Sequence, residues 1–498
     1  MRYAYTEDRK IGITGAVFLI LNKMIGTGIF STPSSIFAAT GSVGISLMLW
    51  IVGGVLTFCG ISVFLEFGLA IPRSGGEKNY LERVYRHPRY LATCVLASQM
   101  ILLGFSTGNS LAFGRYVLYA SGWGSNDGWP ARGVGIAAIT FSVALHAVLP
   151  KWGIRLVNVL GVFKVVTLLF IVFSGFAALA GRGKDVPEPR ANFRHAFDID
   201  YDIGGAGGAQ AYSNAILNVV YSYKGWENAN YVVSELRDPR KTLAVAAPLA
   251  VGGVTILYVL ANVAYFAAIG KEDLANSEVL VAAVFFRNMF GDSAGANVLP
   301  VLVCLSNLGN VLAVSFAHAR LNQELGKEGI LPFSRFWASN KPFNAPSASL
   351  FLHWIVTVII LVAPPAGPAY NFVVNLYTYP GTWINAFVGA GLIYLQWSKK
   401  ENWSSSWHTY LPVSLLWLAS NIFLVVVPFI PPTGSWTADG YPYYIFPVVG
   451  VAVLLLGCVY WLFWSVVIPH LGGYRVIALR SIDETGAEIV RYRKVRLE

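Results

Sequence analysis

Charged side chains are scarce in this chain: Asp, Glu, Lys and Arg make up 12% of its 498 residues, roughly half the share of an ordinary soluble domain. With a hydrophobic share of 55%, that scarcity excludes a water-soluble globular fold. Cysteine is nearly absent too. Cys59, Cys94, Cys304 and Cys458 all fall inside apolar runs, where a thiol behaves as a small buried hydrophobe, so no disulfide framework is expected. The seven histidines show no ligand-like spacing in pairs or triples, which argues against a metal site. No glycine-rich phosphate loop ends in Lys-Ser or Lys-Thr. Any work done is therefore expected to draw on an ion gradient and not on ATP.

What the chain has is apolar length. Twelve runs, near 11–40, 44–71, 90–120, 133–150, 154–181, 211–234, 242–269, 293–320, 347–364, 369–396, 409–430 and 444–469, are each long enough to cross a hydrocarbon core of about 30 Å. They predict an all-α polytopic membrane protein: a polar N-terminus over residues 1–10, a transmembrane domain over 11–470 and a C-terminal tail over 471–498. The lipid bilayer is thus the first expected partner. A net charge of +10 raises nucleic acid as another, but the distribution of charge argues against it. With the N-terminus inside, twenty-five of the 36 Lys and Arg residues lie on the cytoplasmic side, seven lie opposite and four (Lys23, Arg115, Lys164 and Lys224) lie within spans. The positive-inside rule then puts both termini in the cytoplasm. It also puts the one Asn-x-Ser/Thr acceptor, Asn402-Trp403-Ser404, in a cytoplasmic loop, where it is expected to stay unglycosylated.

A backbone inside a bilayer must satisfy its own hydrogen bonds, so interruptions at mid-depth are tolerated only where they are buried in protein or line a wet cavity. The first run contains Ile25-Gly26-Thr27-Gly28-Ile29 about halfway across, and the sixth contains Tyr221-Ser222-Tyr223-Lys224-Gly225-Trp226-Glu227. Both are expected to be unwound hinges. Helix packing through small residues is the competing explanation, but it favours glycines four apart, whereas a spacing of two sets Gly26 and Gly28 on different faces. Amides freed at the start of a half-helix, reinforced by its dipole, form an anion site that suits an amino-acid carboxylate. Breaks in the first and sixth runs fit two repeats of opposite topology, residues 11–181 and 211–396, with two further helices at 409–469. Such folds bind their solute at the repeat interface, and the pattern points to a transporter.

Five ordered stretches resemble the amino acid–polyamine–organocation superfamily, in its L-type amino acid transporter family. They are Ile25 to Phe30; Glu66-Phe67-Gly68 continuing to Tyr80; Tyr223 to Asn228; Glu235 to Lys241; and Ala319-Arg320-Leu321 with Gly326 to Gly329. Within that family, Asn22-Lys23-Met24 and Glu227 to Tyr231 are most similar to the fungal high-affinity methionine permeases. The resemblance implies a LeuT-like fold of twelve helices, with amides around Gly26, Thr27 and Gly28 holding a carboxylate. It implies that carbonyls at Met24, Tyr221 and Gly225 receive an ammonium. Tyr221 stands where the family has an aromatic gate, although plain core packing would also explain it. Lys164 matches the family's span-five lysine, which stands where related transporters bind sodium and ties the first and eighth helices together. Heavy-chain-linked members carry a cysteine between spans three and four. Ser121 to Arg132 has none, so no disulfide-linked heavy chain is expected.

Charges inside a membrane need a partner or a function. Lys164 lies about 15 Å of helix rise into the fifth run, too deep to reach the cytoplasmic edge, and is a candidate for loading and releasing a proton. Lys23, Lys224 and Glu227 are the other coupling candidates, with Glu227 and Glu235 as available carboxylate partners. Static ion pairs that fasten the broken helices are the alternative. Arg115 is expected to snorkel to the outer surface, and Glu66 to be structural. The candidate binding set is Met24, Ile25, Gly26, Thr27 and Gly28 from the first break, Tyr221, Tyr223 and Gly225 from the second, and Asn307, Asn310 and Tyr377 as polar edges of an apolar side-chain pocket. The resemblance makes the expected activity methionine import across the plasma membrane by alternating access, with the proton as coupling ion and no cofactor. A broad neutral amino acid exchanger and a non-transporting nutrient receptor are the alternatives. No nucleophile or metal constellation favours an enzyme.

Overall fold

In an apolar run only the backbone can satisfy the backbone, and the helix is the local solution. The computed structural model describes residues 12–71, 76–123, 128–186, 188–205, 207–227, 238–292, 297–341, 343–364, 369–433, 437–438, 441–482 and 488–496. The first half folds as α1 (Ile13–Met24), α2 (Thr27–Thr40), α3 (Val43–Ala70), the short α4 (Glu77–Val84), α5 (Leu91–Leu102), α6 (Thr107–Ala120), α7 (Trp129–Val148) and α8 (Pro150–Leu179). The second half holds α9 (Gly208–Tyr223), α10 (Pro239–Ala268), α11 (Pro300–Glu328), α12 (Ser347–Val362), α13 (Ala369–Trp397), α14 (Leu411–Val426) and α15 (Ile445–Trp461), with shorter helical segments between them. Among the described residues eight helices are long and apolar enough to cross a membrane, or nine with the bent pair α1–α2. The fold is mostly helical and multi-pass.

Local chemistry sets the helix ends. Proline opens α8, α10 and α11, where its missing N–H has no intrahelical partner to lose. Ser42 caps α3 by accepting the Ile45 N–H at 3.4 Å, and Gly41 closes α2 in the left-handed region at φ +63°. In the bundle α10 packs against α1, α3 and α8, α2 lies along α9, and α11 packs on α6 and α8. Val159, Val162 and Phe173 on α8 are each more than half exposed, as an outward face covered by lipid requires.

Three expectations need correction. The run at 90–120 was expected to be one unbroken helix, yet α5 and α6 are separated over residues 103–106. There the Ser106 N–H donates to Thr357 Oγ1 at 3.2 Å, and His353 Nδ1 meets the Gly104 carbonyl at 2.7 Å. Arg115 does not snorkel: it is 3% exposed and pairs with Glu278 at 2.6 Å. Its partner lies on a segment 163 residues away, beyond the reach of local sequence reasoning. The chain is also not purely helical. The strands β1 (Thr437–Ala438) and β2 (Tyr441–Pro442) form a small hairpin, and β3 (Tyr474–Ile482) and β4 (Glu488–Arg496) form a longer one in the C-terminal tail. Glu66 accepts from Gln396, Trp403 and the Thr409 N–H at 2.6–3.0 Å, a structural engagement. Residues 1–10, Pro72 to Gly75, Asn228 to Tyr231 and Glu235 lie outside the described residues.

Candidate functional site

The first interruption is narrower than Met24 to Gly28. Only Ile25 and Gly26 leave the helix, and α1 and α2 meet at a bend of 46°. Thr27 and Gly28 begin α2, so their amides are among those a helix leaves without intrahelical acceptors. The two glycines differ in role. Gly26 occupies the break, and a Cβ there would lie 2.8 Å from Asn310 Nδ2. Gly28 lets α2 approach α9, since a Cβ would stand 2.6 Å from the Ser222 Cα. Small-residue packing and a freed helix start are both realised, one at each glycine.

The second interruption follows α9. Lys224 is extended at φ −61° and ψ 139°, and Gly225 adopts φ +122°, a conformation that side chains other than glycine's resist. A Cβ on Gly225 would also fall 2.9 Å from the backbone carbon of Lys23. The two breaks therefore touch through backbone. Gly225→Ala should destabilise the protein by about 2 kcal/mol from strain alone, seen as a lower thermal midpoint of the purified protein in detergent. An unchanged midpoint would refute this account of Gly225. Tyr258 of α10 joins the breaks from a third side, its hydroxyl lying 2.7 Å from the Met24 carbonyl and 3.1 Å from that of Ser222.

Between the breaks lies a cavity with about 600 Å³ of atom-free space, its mouth included. Lys23, Met24, Gly26, Thr27 and Gly28 form one wall, and Tyr221, Ser222 and Lys224 face them. The third run contributes Phe105, Gly108 and Asn109, α11 contributes Asn310 and Val314, and α13 contributes Val373, Val374 and Tyr377. Thr27 gives its one hydroxyl proton to Asn109 Oδ1 at 2.8 Å, so Tyr221, 3.1 Å away, must donate its own to Thr27. Phe105, Tyr377 and Tyr221 follow one another edge to face, with centroids 5.5 and 5.9 Å apart. Lys224 Nζ lies 4.0 Å over the Tyr377 ring and donates to the Tyr377 carbonyl at 3.3 Å.

Below the cavity Lys164 is fully buried. Its ammonium donates to the Asn22 carbonyl at 3.0 Å, to Asn22 Oδ1 at 3.1 Å and to Asn310 Oδ1. All three of its protons are used, and α8 is tied to α1 and α11. Gly309 makes room, since a Cβ there would lie 2.9 Å from Leu160 and 3.2 Å from Lys164 Cε. Asn310 turns its oxygen to Lys164 and its buried amide nitrogen, which has no hydrogen-bond partner among the described residues, toward Gly26. A buried donor without an acceptor is costly, and this one faces the cavity.

Four of the residues proposed from sequence to bind solute stand elsewhere. The Ile25 side chain is fully buried in the core, and its N–H donates to the Leu21 carbonyl at 2.9 Å, completing the last turn of α1. Tyr223 donates to the Trp50 carbonyl at 2.9 Å among Trp50 and Tyr258. At 100° per residue it cannot share a face with Tyr221. Gly225 backs onto Lys23, and Asn307 is buried one turn from Asn310, outside the cavity lining. Of the coupling candidates, Lys23 and Lys224 line the cavity, whereas Glu227 accepts the Gly225 N–H at 2.9 Å. Phe105, Gly108, Asn109, Ser222, Val314, Val373 and Val374 were not anticipated. The cluster Gly104-Phe105-Ser106-Thr107-Gly108 was the available signal for the first three, and Ser222 is adjacent to Tyr221. The described residues hold no His, Cys, Asp or Glu cluster fit for a metal.

A multi-pass helical bundle that holds a polar-walled cavity at the meeting of interrupted helices is the architecture of a membrane transporter for small solutes. The chain belongs to the amino acid permease family, which it matches over residues 11–454. This is the superfamily to which the five motifs pointed, and it makes the chain a transporter of amino acids and not an enzyme. The chain is 38% identical to the high-affinity methionine permease of Saccharomyces cerevisiae, over 98% of this chain and 84% of that one. It is 29% identical to the low-affinity methionine permease of the same yeast, over 95% and 85% of the two chains. It is 28% identical to b(0,+)-type amino acid transporter 1 of Mus musculus, over 85% and 83%.

Proposed function

We propose that this permease imports methionine across the plasma membrane by alternating access, in symport with protons. The observation that carries the substrate reading is the cavity's division of labour. Its polar side offers the first amides of α2 and the unpartnered Asn310 nitrogen, which suit a carboxylate. Its other side offers Phe105, Val314, Val373 and the Tyr377 ring, an apolar wall suited to an unbranched thioether chain, whose sulfur favours aromatic neighbours. Among the described residues two lysines and no carboxylate line it, which disfavours cationic amino acids. Similarity to a methionine permease along nearly the whole chain agrees. In this proposal twelve spans form two inverted five-helix repeats in the LeuT manner, with both termini cytoplasmic and no disulfide-linked heavy chain.

A competition panel tests the substrate. Methionine and its unbranched apolar analogues should displace labelled methionine, whereas lysine and arginine should not. Displacement by lysine as strong as by methionine would refute the reading. The two lysines and the apolar wall that line the cavity among the described residues also suit one second reading, neutral amino acid exchange, for which external methionine would accelerate efflux without any proton gradient.

The latch on the third run bears on the same wall. His353 is 1% exposed, contacts Gly104 through Nδ1 and reaches Ser106 Oγ through Nε2 at 2.9 Å, on either side of Phe105. His353→Leu would leave both groups unpaired and let Phe105 shift, so the KM for methionine should rise about tenfold. Uptake kinetics at equal surface expression check this, and an unaltered KM would free His353 of the role.

A further inference from the structure

The last span carries apolar, exposed residues down to its end. Leu462, Phe463, Val466 and Ile468 are each 43–50% exposed, and Leu471 is 81% exposed. Only Gly472 and Gly473 then precede β3, so the hairpin β3–β4 starts where the hydrocarbon boundary stops. One face of the hairpin packs on the bundle. Tyr492 is 8% exposed, bonds Glu82 through its hydroxyl at 3.0 Å and meets Tyr90 and Trp464 edge to face.

Among the described residues nothing covers the opposite face. The register pairs Arg475 with Val495, Ile477 with Arg493 and Leu479 with Arg491, and residues paired across strands share a face. Three guanidinium groups thus alternate with three apolar side chains. Arg475, Arg491 and Arg493 are exposed, as are Leu479 at 41% and Val495 at 38%. Among the described residues the ion pairs involve none of the three arginines. Like charges gathered on one small sheet repel unless an anion lies among them. At this depth the anions at hand are lipid phosphates and carboxylates, and the interleaved Ile477, Leu479 and Val495 suit the base of the headgroup layer.

We propose that this face of the hairpin docks on the anionic headgroups of the leaflet that holds the end of the last span. Each basic side chain contributes roughly fivefold to partition onto an anionic surface, on the order of 100-fold for three.

The test uses the full-length permease in nanodiscs of phosphatidylcholine alone or with a third phosphatidylserine, and it does not depend on substrate or orientation. Amide hydrogen exchange of residues 474–496 should slow at least tenfold with phosphatidylserine, and the difference should vanish when Arg475, Arg491 and Arg493 are all changed to Gln. Changing the same three to Lys should keep most of it, which separates charge from folding. Equal exchange in the two lipid mixtures would overturn the proposal. So would protection that is indifferent to lipid and arises only on adding cytosolic protein, which would assign the face to a soluble partner.

Discussion

Gly26→Val should lower methionine uptake about 100-fold or more while the protein still reaches the membrane with a near-normal thermal midpoint. The backbone at Gly26 is extended, at φ −137° and ψ −161°, a conformation valine adopts readily. The substitution therefore imposes no backbone strain. Its effect is local: the Cβ would stand 2.8 Å from Asn310 Nδ2, and the two methyl groups would fill the approach to the first amides of α2. Two charge-assisted hydrogen bonds at about 1.5–3 kcal/mol each would be denied to the carboxylate, enough for a hundredfold loss. Binding of labelled methionine to purified protein reads this directly. Wild-type affinity in the variant would move the carboxylate site elsewhere.

Lys164→Ala should abolish pH-driven accumulation of methionine. The substitution strips three buried acceptors, two on Asn22 and one on Asn310, of their common donor, and each orphaned group costs roughly 1–3 kcal/mol. A lower thermal midpoint follows from that alone. The coupling role predicts more. Asn310 holds Lys164 with its oxygen and faces the cavity with its nitrogen, so in the proposed mechanism a bound solute and the ammonium would act on one side chain. In Lys164→Ala the remaining uptake should lose its dependence on the proton gradient. If the variant is merely less stable, and its residual uptake still follows the gradient, Lys164 is a staple and not a coupling group.

The features legible in sequence are those whose cause is local. Glycine and polar residues in the middle of apolar runs exposed the breaks at Gly26 and Gly225, because a bilayer allows few other uses for them. Lys164 stood out because its depth demanded partners. What escaped depends on distant contacts. The interruption at 103–106 is held by His353 and Thr357, some 250 residues away, and only the Gly104 to Gly108 cluster hinted at it. Tyr223 was grouped with Tyr221 by adjacency, although helical rotation separates them. In the final hairpin only Val490-Arg491-Tyr492-Arg493 alternates with period two, whereas Ile477 and Leu479 break the pattern in β3, and the basic charge of the tail obscured the short signal.

In the proposed mechanism an amino acid crosses through the cavity between the two interrupted helices. Its most direct test is uptake of labelled methionine by proteoliposomes under an inward proton gradient, with wild-type and Gly26→Val protein reconstituted at equal density. Concentrative uptake by the wild type and none above background by the variant are expected. Equal uptake by both would contradict that mechanism.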